Sequence, residues 1–118
     1  MTRCHVCQSL MTASRLECAE CGLTVEGRFA TPRLGRLAPE DQQLIESFVL
    51  CGGSLKMLAK DLSVSYPTVR KRIDGLIERL QDLRSSDERR TEAWLEAVER
   101  GSMKPEMAAR LMQELAHG

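Results

Sequence analysis

Four of the chain's five cysteines fall within its first 21 residues, as the pairs Cys4-His5-Val6-Cys7 and Cys18-Ala19-Glu20-Cys21, the second followed by Gly22. A two-residue gap lets the backbone curl so that both sulfurs of a pair face one tetrahedral ion at about 2.3 Å, and a glycine just past the pair relieves the tight turn. Two pairs make four sulfur ligands, so Cys4, Cys7, Cys18 and Cys21 are the candidate ligands of one Zn²⁺ ion. The ten residues between the pairs suit a short hairpin within Leu10 to Cys18, which predicts a zinc ribbon over residues 1–30. An odd cysteine count with no secretory signal fits a metal site better than a disulfide framework.

The expected role of the ion is to replace a core. Ordering about 30 residues costs tens of kcal/mol, and this segment has too few apolar side chains to offset that. Zinc binding, at an apparent 10–16 kcal/mol or so, makes up much of the difference. Four protein ligands leave no open position for water, so Lewis-acid catalysis is not expected. A thioredoxin-like redox role lacks the strand-helix context it needs. His5 reads as an exposed knuckle residue, and Cys51, beside Phe48, as a buried thiol.

Ala30 to Pro39 holds two prolines and a glycine, and residues 31–38 read as a linker. A helical domain follows over residues 39–83. Pro39-Glu40-Asp41 suits a helix start, Leu44, Ile45, Phe48 and Val49 mark one face, and Gly52-Gly53 stops the helix. Ser54 is placed to cap a second helix carrying Leu55, Leu58, Ala59 and Leu62. After a break at Ser63-Val64-Ser65, Pro67 opens a third, with Val69, Ile73, Leu76, Ile77 and Leu80 at helical spacing. Ala59 is the small residue where two helices cross, and Leu58, Leu62 and Val64 fill the corner, the layout of a helix-turn-helix. The third helix then turns Ser65, Tyr66, Thr68, Arg70, Lys71 and Arg72 outward, with Lys71 near the centre of the exposed face. Guanidinium, ammonium and hydroxyl groups there suit phosphates and base edges in a major groove.

From Arg84 the chain turns polar, and Ser86-Asp87-Glu88 reads as another helix start. Trp94, Leu95 and Val98 on one helix, and Met107, Leu111 and Leu115 on the next after Gly101 and Pro105, predict a C-terminal helical hairpin over residues 84–118. Two stripes this small need a partner surface, either the preceding domain or a second copy, so these six residues are candidates for oligomerisation or docking. The fold class expected is mainly α, with a small N-terminal β zinc ribbon, a helix-turn-helix bundle and this hairpin.

Across 118 residues, 17 Lys+Arg balance 17 Asp+Glu. That argues against coating nucleic acid or a membrane by bulk charge and confines any DNA contact to a local surface. No apolar run approaches the roughly 18 residues of a membrane helix and no signal-like segment follows Met1, which predicts a cytoplasmic protein. There is no nucleophile motif, phosphate loop or acid-base pair, and His5 and His117 sit in a knuckle and at the chain end. An enzyme is therefore not expected.

Cys4-x-x-Cys7, Cys18-x-x-Cys21-Gly22, Glu26-Gly27-Arg28-Phe29, Leu37-x-Pro39-Glu40, Phe48 to Gly53 and Leu62-x-Val64-Ser65-Tyr66-Pro67-Thr68-Val69-Arg70 resemble a bacterial family of unknown function. That family joins an N-terminal zinc ribbon to a sigma-factor-like helix-turn-helix, and the likeness covers roughly residues 1–80. The helix pair is also similar to sigma factor region 4 and to LuxR-type regulators, in which Thr-Val at this point opens the recognition helix. Leu95 to Glu106 resembles short two-helix modules attached to bacterial regulatory proteins, for which the resemblance implies oligomerisation or docking. Ala19 stands where the ribbon motif often has proline. Two functions are thus in play: a zinc-containing transcriptional regulator that reads duplex DNA as a homo-oligomer, and a protein-protein adaptor acting on RNA polymerase or a regulatory partner.

Overall fold

A computed structural model describes residues 3–117; Met1, Thr2, Gly118 and the His117 side chain lie outside the described residues. The chain is mainly helical, with a two-stranded antiparallel hairpin at its N-terminal end. Strand β1 (Ala13–Glu17) pairs with β2 (Thr24–Phe29) through Arg15 against Glu26, Leu16 against Val25 and Glu17 against Thr24, with a bulge near Ala13. The hairpin therefore closes around the second C-x-x-C pair, which forms its turn, rather than spanning between the two pairs. Every residue of β1 is exposed and only Phe29 of β2 is partly covered. A lone pair of strands with no buried face is marginal in water.

The helical core is where the apolar pattern predicts it. Helix α1 spans Pro39–Leu50, with proline at its start and Glu40 and Asp41 in its first turn. Helix α2 spans Leu55–Asp61, and the Ser54 hydroxyl accepts the Met57 N–H at 3.2 Å, the expected cap. Leu58, Ala59, Val69, Ile73 and Leu76 are buried together, and Leu44, Ile45, Phe48, Leu62, Val64 and Leu80 pack around them. Leu58 and Val69 are fully enclosed, each adding about 1.5–3 kcal/mol by burial. Ile77, expected in the stripe, is 46% exposed: it lies one step of about 100° beyond Leu76, off the covered face. The turn from α2 places Ser63 at φ 54°, in the left-handed region, where helix-turn-helix motifs usually carry glycine.

Helix α3 runs unbroken from Tyr66 to Glu99, about 50 Å of helix. The helix start expected at Ser86-Asp87-Glu88 is thus not one. Arg84 to Glu88 contains neither glycine nor proline, and Asp87 does not cap its neighbours. Its carboxylate instead accepts hydrogen bonds from Arg33 Nε at 2.9 Å and from Arg36 at 2.9 and 2.5 Å. Both arginines belong to the segment read as a linker, which forms a short 3-10 turn over Leu34–Arg36 and buries Leu37 in the core. That segment is a structural element in its own right.

Helix α4 (Pro105–His117) packs back on α3 with Ala108 buried, and Glu114 reaches Arg28 of the ribbon at 3.8 Å. The hairpin formed by the end of α3 and α4 lies against its own chain. Trp94, Val98, Leu111 and Leu115 are half-buried there, whereas Leu95 and Met107 are 48% and 43% exposed.

A second ion pair fixes α1 on α3: Asp41 accepts from Arg79 Nε at 2.7 Å and from its terminal nitrogen at 2.6 Å. Hydrogen bonds from Arg79 lower the Asp41 pKa below its usual 3.8. Burial works to raise that of Asp87, but the hydrogen bonds from Arg36 and Arg33 outweigh it and the net shift is also downward. A carboxylate whose folded pKa is depressed contributes stability that is complete above its unfolded pKa and is lost as pH falls through the folded value. Stability should therefore hold down to about pH 4 and decline below it, and Asp87→Asn should flatten that acid limb in urea unfolding measured against pH. At neutral pH, Asp87→Ala should cost about 3 kcal/mol by leaving Arg36 buried without its counter-charge. Ser63→Gly should raise the unfolding free energy from urea titration by up to about 1 kcal/mol, and the β-branched Ser63→Val should lower it.

Candidate metal centre and nucleic-acid interface

The two C-x-x-C pairs adopt the same turn. Cys4 N–H donates to the Ser9 carbonyl and Cys18 N–H to the Leu23 carbonyl, both at 2.8 Å. Gln8 N–H returns to the Cys4 carbonyl at 3.0 Å, and Gly22 N–H to the Cys18 carbonyl at 2.9 Å. Gln8, at φ 64°, occupies in the first turn the left-handed place that Gly22, at φ 77°, occupies in the second. A non-glycine residue there hid the equivalence of the two turns in the sequence.

Curled this way, the backbone aims N–H groups at sulfur. Val6 N–H lies 3.4 Å from Cys4 Sγ. The Cys7 thiol is acidified by hydrogen bonds from the Ser9 side chain and backbone and from Cys4, and the Cys18 thiol by the amides of Cys21 and Glu20 and by the Cys21 side chain. Amide dipoles that favour thiolate suit binding of a soft divalent ion. Each pair is thus brought together, and all four thiols are free. The pairs themselves are not gathered: among the described residues no group of three or more Cys, His, Asp or Glu side chains is assembled as a metal site. The strands that join them bury almost nothing, so protein contacts alone supply little force to draw one pair onto the other. His5 is exposed, and Cys51 is half-buried against the helical core, away from the pairs.

At the other candidate site, burial of Val69 and Ile73 leaves Tyr66, Thr68, Arg70, Lys71 and Arg72 exposed on the first turns of α3. Ser65 is exposed too, but its hydroxyl is committed. It accepts the Thr68 N–H at 3.3 Å and lies 2.8 Å from the Thr68 hydroxyl, so the two hydroxyls expected to meet phosphate form the helix cap. Arg70 lies 3.4 Å from Asp74, both half-exposed, a pairing worth only a few tenths of a kcal/mol. Lys71 and Arg72 also border a groove between α3 and the start of α1, beside Glu40 and Gln43.

Among the helices described, none is long and apolar enough to cross a membrane. A family model described as the DUF2089 zinc ribbon matches residues 4–34, and one described as a domain of unknown function (DUF2089)-HTH matches residues 37–82. Neither describes a catalytic domain. No curated protein and no solved structure matches the chain. The two matches are consecutive and fall on the paired cysteine turns and on the α1-α2-α3 core, and the chain belongs to the DUF2089 family, a zinc ribbon followed by a helix-turn-helix domain.

Proposed function

We propose that the protein is a zinc-containing regulator of transcription that binds duplex DNA with the N-terminal turns of α3. The observation that carries this reading is the division of that helix: Val69 and Ile73 are sealed in the core, while Tyr66, Arg70, Lys71 and Arg72 remain free to meet a groove. The helix-turn-helix and ribbon matches are consistent with nucleic-acid binding. Arg70 would exchange its weak partner Asp74 for a phosphate or a base edge, and Lys71 and Arg72 would meet the backbone from the flank. One short basic surface on a neutral chain binds weakly by itself, so the reading includes a homo-oligomer, with Leu95 and Met107 of the C-terminal hairpin available for contact between copies. No catalytic role is assigned.

In this reading Cys4, Cys7, Cys18 and Cys21 together hold one Zn²⁺. The ion, when bound, supplies structural cross-linking of the two turns and no open coordination position. The turn amides of Val6, Ser9 and Cys21 would stabilise the sulfur charge.

A second reading, a protein-protein adaptor acting on the transcription machinery, is favoured by apolar side chains left on the surface. Val6 and Leu23 by the cysteine turns are 93% and 64% exposed, and Leu50 at the end of α1 is 80% exposed.

Purified protein should contain one zinc per chain by elemental analysis, and Cys→Ser at any of the four positions should lower that content. Chelation should collapse the dispersion of the ribbon's amide signals in NMR spectra while far-UV circular dichroism of the helices is largely retained; a general loss of helix would show that the ribbon is part of the main core. In fluorescence anisotropy with DNA from its own promoter, the zinc-loaded chain should bind with a steep salt dependence. The double variant Arg70→Ala, Lys71→Ala should bind more weakly and show a shallower salt slope, by about one for each phosphate it no longer neutralises. Absence of salt-sensitive DNA binding, with specific capture of RNA polymerase through Val6 and Leu23, would replace the first reading by the second.

A further inference from the structure

Where the ribbon, the 3-10 segment and the C-terminal hairpin meet, the chain forms a half-open cavity of about 510 Å³, within the size range of small-molecule sites. Its wall carries four arginines, Arg3, Arg28, Arg36 and Arg90, against a single carboxylate, Glu114, and takes apolar surface from Trp94 and Leu111. Two of these cations are engaged, Arg28 with Glu114 at 3.8 Å and Arg36 with Asp87. Arg3 donates to the Gln8 carbonyl at 2.9 Å and has no ion pair among the described residues. Arg90 has no hydrogen bond or ion pair with any described residue. The Arg36 side chain is only 10% exposed, and its Nε is buried with no acceptor among the described residues.

We infer that this cavity binds an amphipathic organic anion, a carboxylate, sulfonate or phosphate carried on an aromatic or other apolar body. Guanidinium groups bind such oxyanions through paired charge-assisted hydrogen bonds. Trp94 offers a large flat apolar face for the remainder of the ligand, which a bare inorganic ion could not use. The site is separate from the proposed DNA surface, since Arg90 lies about 30 Å along α3 from Arg70. Because its wall comes from three parts of the chain, occupancy would fasten the ribbon and α4 to the far end of α3.

Trp94 is the chain's one tryptophan and reports directly on the cavity. Zinc-loaded full-length protein titrated with anilinonaphthalene sulfonate should show saturable transfer of Trp94 emission to the probe at a single site. Naphthoate should displace the probe, and inorganic pyrophosphate at the same concentration should not. Arg90→Ala should weaken binding at least about tenfold, the loss expected for one charge-assisted hydrogen bond, with Arg90→Lys intermediate. Both should keep wild-type circular dichroism, since Arg90 is exposed and unpaired. Leu50→Ala, which removes a surface apolar group elsewhere, should leave the titration unchanged. Unsaturable transfer, unchanged affinity in Arg90→Ala, or displacement by pyrophosphate as effective as by naphthoate would overturn the assignment.

Discussion

The buried carboxylate of Asp87, held by Arg33 and Arg36, is the contact on which the rest of the arrangement depends. It joins residues more than fifty positions apart in the chain and ties the segment after the ribbon to the middle of the long helix. With that segment fixed, Leu37 enters the core and Arg28 of the ribbon comes within 3.8 Å of Glu114 on α4. A charge cluster of this kind adds less to stability than its short distances suggest, because Asp87 and Arg36 have been taken out of water. What it supplies is position: an apolar contact could slide, whereas guanidinium groups on one carboxylate admit few geometries.

Asp87 also explains why the long helix was only half legible. It lies about five turns beyond Val69, on the face that carries Ile73, Leu76, Leu80 and Leu83, and so completes a buried stripe whose last member is charged. Read by residue type, Ser86-Asp87-Glu88 is a helix start. Read by position, Asp87 is a core residue whose partners lie far away in sequence, and no local pattern reveals them. The α1-α2-α3 core and the Ser54 cap were legible because each rests on spacing or on neighbours within a few residues, whereas the Ser65 cap and the left-handed Ser63 came only with the structure. The Asp41–Arg79 pair was not legible, for the same reason as Asp87.

The ribbon divides in the same way. Cysteine spacing marks the two turns, and the structure adds that Gln8 stands in the first where Gly22 stands in the second. Which strands pair was less accessible, since β1 and β2 carry no alternation of buried and exposed residues. At the candidate DNA surface the residues were legible and their roles were not. Ser65 and Thr68 form the cap, because a helix start must satisfy its own amides, and Lys71 and Arg72 border the groove with α1.

The continuity of α3 has a mechanical consequence. A chain with a break near Arg84 would let its two ends move independently, and events at one would be dissipated in the joint. Here a single rod carries Tyr66 and Arg70 at one end and Trp94 at the other. The near end is clamped in the core by Val69 and Ile73 and the far end packs on α4, so the unbroken helix fixes the spacing and orientation of the two ends.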